Sequence, residues 1–147
     1  MRIIVFLFAC FAFNSYPAES IDEKLVLNLL EKEKTSVQNK EIMSFMALLS
    51  EDFLGAKKDG TPLTKESYKE GVIITFINAS KILHNAKIKS LYISENKQSA
   101  EVVLESETKF LLERGNYKEV VTSNSVTKST LILENGTLKY KNSSYIK

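Results

Sequence analysis

The stretch Ala100-Glu101-Val102-Val103-Leu104-Glu105-Ser106-Glu107-Thr108-Lys109-Phe110-Leu111-Leu112 decides how this chain folds. Its apolar and hydroxyl residues (Ala100, Val102, Leu104, Ser106, Thr108, Phe110, Leu112) alternate with a row dominated by Glu101, Glu105, Glu107 and Lys109. A period of two over this length predicts a long β-strand with one core face and one charged face. The same period extends outward on both sides. Ile82 to Ser94 precedes the strand through the turn Glu95-Asn96-Lys97, and Arg114-Gly115-Asn116 leads into a Thr/Ser/Val-rich strand, Tyr117 to Leu133. Asn135-Gly136, a strong hairpin dipeptide, then turns into a last strand, Thr137 to Ile146. The expectation is a four-strand antiparallel meander.

Upstream the period is helical. Ile21, Leu25, Val26, Leu29, Leu30 and Val37 recur at steps of three and four, with Glu23, Lys24, Glu31, Lys32 and Lys34 on the other face. After a break at Asn39-Lys40, Ile42, Phe45, Met46 and Leu49 repeat the pattern. A short strand, Phe53 to Lys57, is expected before the turn Asp59-Gly60. Thr64-Lys65-Glu66-Ser67 then reads as a capped helix start, and Tyr68, Val72, Ile73, Phe76 and Ile77 form one face of a third helix ending near Asn78 to Ser80. Helices gathered ahead of a long sheet predict an α+β domain, with the sheet curling around the third helix and leaving a cone-like cavity.

The amino terminus has a separate character. Met1-Arg2 precedes an apolar run, Ile3 to Phe13, and a polar, small-residue exit through Ser20, the layout of a secretory signal peptide cut after Ser20. The run is shorter than the roughly 20 apolar residues that span a bilayer. Leu7-Phe8-Ala9-Cys10 resembles a lipoprotein box, but bulky Phe8 and the continuing apolar run disfavour a lipid anchor at Cys10. Residues 1–20 are thus read as signal peptide and 21–147 as one exported domain, periplasmic or extracellular. Across 147 residues the net charge is only +2, with one Cys and one His. That excludes an evident nucleic-acid binder, an intramolecular disulfide and a zinc constellation, and no cofactor or metal is expected.

Three local patterns resemble the nuclear transport factor 2-like (NTF2-like) superfamily, the group of the ketosteroid isomerases and the SnoaL-like cyclases. They are Leu48-Leu49-Ser50-Glu51-Asp52-Phe53 at the exit of the second helix, Gly60 with Thr64-Lys65-Glu66, and Asn135-Gly136-Thr137-Leu138-Lys139-Tyr140 in the last hairpin. The resemblance spans Ile21 to Lys147 and implies a cystatin-like cone, three amino-terminal helices against a long curved antiparallel sheet. It also implies a catalytic Asp/Tyr/Asp set in the isomerases, which this chain lacks. Gly55-Ala56-Lys57-Lys58 stands where a base Asp would, no Tyr lies between Ile21 and Leu49, and the only Asp residues are Asp22, Asp52 and Asp59.

No catalytic residue can be assigned on that basis. The candidates for a ligand pocket are Tyr68, His84, Ser106, Thr108 and Tyr140. Ser106 and Thr108 face the cavity if their row is the core side, or bond backbone near a strand end if not. His84 is a base only if a carboxylate or carbonyl orients it, and otherwise a surface or helix-terminus residue. Tyr68 and Tyr140 pin a polar ligand atom or pack with hydroxyls at the rim. Lys87, Lys89, Lys139, Lys141 and Lys147 suggest a basic stripe opposite the acidic ladder. The chain therefore reads as an exported module that binds a small apolar or amphipathic ligand and dimerises through its open sheet face. An isomerase, cyclase or dehydratase with His84 as base is the second reading, and an envelope or secreted protein-interaction module the third.

Overall fold

The computed structural model describes residues 19–146. The signal-peptide reading therefore lies almost wholly outside the described residues, and Cys10 entirely so. The domain starts tightly at Ile21, whose side chain is buried and whose N–H donates to the Lys97 carbonyl at 2.8 Å.

Helix α1 (Glu23–Gln38) begins where Asp22 accepts from the Leu25 amide at 2.7 Å, satisfying one of the free N–H groups of the first turn. Helix α2 spans only Ile42–Met46. The strand β1 (Leu49–Ala56) starts earlier than the Phe53 expected from pattern, so Leu49 belongs to the sheet. The reason is tertiary: Leu49 sits in register with Tyr140, and the Tyr140 amide donates to the Leu48 carbonyl. A three-residue strand, β2 (Pro62–Thr64), precedes α3 (Lys65–Asn78), where Thr64 caps the Ser67 amide as its hydroxyl suggests. Then come β3 (Lys81–Ile93), β4 (Ser99–Arg114), β5 (Tyr117–Glu134) and β6 (Thr137–Tyr145). The last hairpin turns on Asn135 and Gly136, both at positive φ, as a two-residue turn of this twist demands.

The expected meander is present, β3 to β6, but it forms part of a larger sheet ordered β2-β1-β6-β5-β4-β3. That sheet is mixed rather than antiparallel, because β1 runs parallel to β6. A chain that leaves the sheet through α3 and returns at the far edge brings β1 alongside β6 in the same direction. One sheet face meets α1 and α2 over a core that includes Val26, Leu29, Phe53, Ala100, Val102 and Leu131. Helix α3 packs mainly on β1, β2 and α2, standing off from the middle of the sheet. The gap beneath it is the cavity of the cone.

Three of the five lysines expected to form a basic stripe, Lys89, Lys139 and Lys141, are instead paired with acids. Lys89 pairs with Glu105, Lys128 with Glu101 and Lys109 with Glu107, while Lys139 pairs with Glu134 and Lys141 with Asp52. Cross-strand register brings Lys89, Lys128 and Lys141 beside acids that are distant in sequence, and Lys147 lies outside the described residues.

Candidate functional site

The cavity under α3 has a volume of about 700 Å³. It is walled by α1, α3 and the inward faces of β1, β4, β5 and β6, and all five candidate residues, Tyr68, His84, Ser106, Thr108 and Tyr140, line it.

Each side chain is aimed by the periodicity of its own element. On β3, Ile82 and His84 alternate inward, and both are buried. His84 stands directly opposite Thr108 on β4, and its Nδ1 lies 2.9 Å from the Thr108 hydroxyl. Its backbone N–H donates to Gln38 Oε1 on α1, which ties the start of this edge strand to the helix. On β6, Leu138 and Tyr140 point inward together. On α3, Tyr68 faces the cavity with its ring against Phe45 and Phe53, at centroid distances of 6.1 and 5.5 Å.

Glu33 on α1 joins these groups, and the sequence reading missed it. Val26, Leu30, Glu33 and Val37 follow steps of four, three and four, so Glu33 occupies a position on the buried stripe of the helix. A carboxylate on an apolar stripe is the signal that could have found it. Its side chain is only 18% exposed. The Tyr140 hydroxyl donates to Glu33 Oε2 at 2.6 Å, and Glu33 Oε1 lies 3.5 Å from His84 Nε2. That second separation is too long for a well-formed hydrogen bond, and Nε2 is buried without a partner. A buried, unengaged ring nitrogen is costly in a finished core and useful in a binding site.

The electrostatics follow from this enclosure. Burial, and then the Glu33 carboxylate, push the phenols of Tyr68 and Tyr140 above the ordinary tyrosine range. Both therefore remain hydrogen-bond donors at any physiological pH. In the tautomer with its proton on Nδ1, His84 donates to Thr108 and presents the Nε2 lone pair next to Glu33.

The remaining wall has two textures. Val37, Phe45, Leu49, Phe53, Phe76 and Phe110 supply apolar surface. Facing them, Ser106 and Thr108 on β4 continue into Ser123, Ser125, Thr127 and Ser129 on β5 and Ser143 on β6. Cross-strand register sets Ser106 opposite Ser125 and Thr108 opposite Ser123, so the hydroxyls form a two-row array. The alternation of Ser and Thr on β5 was visible in the sequence, but its direction was not. Apart from Glu33, the charged lining residues are Lys57 and Glu70, both exposed. Among the described residues, the interior thus offers hydroxyl donors and acceptors, one carboxylate and no buried cation.

No protein-family profile matches the chain. No curated protein matches it by sequence either. Solved structures do. A protein from Kribbella flavida superposes with a TM-score of 0.73 at 10% identity, over 84% of this chain and 88% of that one. A proposed scytalone dehydratase from Novosphingobium aromaticivorans gives 0.72 at 12% identity, covering 83% and 80%. A proposed dehydratase of the NTF2-like family from Streptomyces avermitilis gives 0.65 at 8%, covering 83% and 93%. At such identities the likeness establishes the fold: an α+β cone of the NTF2-like type, as the local sequence resemblance implied.

Proposed function

We propose that the cone binds a small neutral organic molecule, oxygenated along one edge and apolar along the other, and that His84 moves a proton on it. The observation that carries this reading is the buried, unpartnered Nε2 of His84 beside Glu33, in the wall of a hydroxyl-lined cavity. Nε2 takes a proton from a C–H or O–H of the ligand, and the imidazolium so formed is stabilised by Glu33, which Tyr140 holds in place. The Tyr68 hydroxyl, which no other described residue engages, can donate to a ligand carbonyl where negative charge develops. Returning the proton to another carbon gives an isomerisation, and returning it to a departing hydroxyl gives a dehydration. Two of the fold's neighbours bear proposed dehydratase roles, which agrees with this chemistry. The carboxylate of Glu33, with no buried cation beside it among the described lining residues, disfavours carboxylate or phosphate ligands.

The test is α-proton exchange of 2-tetralone in D₂O, followed by NMR, with 2-naphthoate as the anionic control for binding. The wild-type chain accelerates exchange, and His84→Ala lowers the rate about 10² to 10⁴-fold, the usual worth of a general base. Glu33→Gln lowers it as well. If neutral ketones bind but exchange at the rate of free solution, the domain is a carrier and the catalytic reading fails.

Export is part of the same proposal. It is supported by the charged, apolar and small-residue order of Met1 to Ser20 and by the buried start of the domain at Ile21. Amino-terminal sequencing of protein recovered from the periplasm or medium should begin at or near Ile21.

A further inference from the structure

His84, Thr108 and Ser123 form one row across the inner face of the sheet. Thr108 on β4 stands directly opposite His84 on β3 and, on its other side, opposite Ser123 on β5. All three line the cavity, and Glu33 reaches the far edge of the imidazole from α1. The Thr108 hydroxyl has one hydrogen-bond partner among the described residues, His84 Nδ1 at 2.9 Å. Thr108 is half-buried in the wall, with Ser106 and Phe110 flanking it on the same strand face. A hydroxyl on one ring nitrogen, with a carboxylate at the other, is the arrangement that turns an alcohol into a nucleophile.

The tautomer decides which chemistry the ring supports. With its proton on Nε2, aimed at Glu33 Oε1 3.5 Å away, His84 accepts the Thr108 O–H at Nδ1. Contacts of this kind commonly tighten only when substrate is bound. Tyr140 fixes the carboxylate in turn, its hydroxyl donating to Glu33 Oε2 at 2.6 Å. Thr108, His84, Glu33 and Tyr140 thus stand in the order nucleophile, base, orienting carboxylate and the donor that holds it.

We propose that this site also cleaves neutral esters, with Thr108 as the nucleophile and His84 Nδ1 as its base. This activity goes beyond proton transfer at Nε2 and uses the opposite ring nitrogen. Thr108 Oγ1 bonds to the ester carbonyl carbon as its proton passes to Nδ1. Nδ1 then returns that proton to the alkoxy oxygen, whose bond to the carbon breaks, and the alcohol leaves. A water molecule next attacks the acyl carbon and gives a proton to Nδ1. That proton passes to Thr108 Oγ1 as its bond to the acyl carbon breaks. One water is consumed, and one acid and one alcohol are released. Nε2 keeps its proton toward Glu33 throughout, so the carboxylate faces the charge that forms on the ring. Ser123 lies one strand spacing, roughly 5 Å, from Thr108 and offers a hydroxyl to the carbonyl oxygen as it gains charge. Beside Thr108, Phe110 packs with Phe76 in an apolar cluster suited to a hydrocarbon acyl chain. Glu33 repels the carboxylate product.

The test uses 4-nitrophenyl butyrate, with nitrophenol release followed by absorbance, and a neutral alkyl fluorophosphonate as a trap for the nucleophile. The wild-type chain cleaves the ester, and peptide mass spectrometry finds the phosphonyl adduct on Thr108. Thr108→Val and His84→Ala each lower turnover about 10² to 10⁴-fold. The double variant loses no more than either, because groups that act as a unit are not additive. Thr108→Ser keeps a hydroxyl and retains both turnover and the adduct at that position. Glu105→Lys, on the outer sheet face, leaves both unchanged. Ketone exchange enters none of these readouts, so either activity can fail alone. A wild-type chain inert to the ester overturns the proposal, as does an adduct that forms elsewhere and not on Thr108. Turnover that survives Thr108→Val, or losses that add in the double variant, overturn it equally.

Discussion

The two halves of β5 follow one alternation and meet opposite environments. Toward its carboxyl end, Ser129 and Leu131 are almost wholly buried between β4, β6 and the helices, whereas from Tyr117 to Asn124 every residue is exposed. Both halves have β-branched and hydroxyl residues in the same period, and both pair with β4 throughout. The difference is that β6 and α1 cover one half only. An alternating pattern therefore states that a strand exists and has two faces; it does not state that anything will lie against either of them. In this chain the half that β6 does not cover lines the cavity with Ser123 and Ser125.

The sharpest break in that contrast is Leu131→Ala. Leu131 has no exposed surface and sits in the main core, so its truncation should cost about 2 to 5 kcal/mol in denaturant unfolding. A smaller cost would mean that the covered half is looser than its burial implies.

Next in size is Tyr140→Phe, which removes the only hydroxyl bonded to the Glu33 carboxylate among the described residues. It should cost about 1 to 3 kcal/mol, as a buried charged acceptor loses its donor. The same site gives a pH signature. Because Tyr68 and Tyr140 have raised pKa values in the fold, the unfolded chain loses its phenolic protons first once pH passes the ordinary tyrosine value of 10.0. Their contribution is complete below that pH and is lost as pH climbs above it. Thermal unfolding from pH 8 upward should show the decline, and Tyr140→Phe should reduce its steepness. The smallest effect belongs to the exposed half of β5: Val120→Thr should change monomer stability by no more than about 0.5 kcal/mol.

Much of the fold was legible because its signals are local. The Ala100 to Leu112 alternation, the Asn135-Gly136 turn and the Thr64 cap each act within a few residues, and each has the expected form. The parallel partnership of β1 with β6 was not legible, since it depends on where the chain re-enters the sheet. The five pocket candidates were named individually, and the fold brings them around one cavity. Glu33 was passed over because helix α1 reads as a continuous amphipathic stripe with charges on its far side. Only its spacing from Val26, Leu30 and Val37 marked it as inward.

By itself, the sequence determined the four strands of the meander, their turns, the Thr64 cap and the scarcity of His and Asp that removes the familiar isomerase set. These follow from backbone preference and side-chain period, which operate over a few residues at a time. Tertiary structure alone decided that Glu33 and Tyr140, separated by 107 positions, share a hydrogen bond beside His84, and that half of β5 goes uncovered. Such contacts depend on how curved layers close over one another, and no short stretch of the chain encodes that closure.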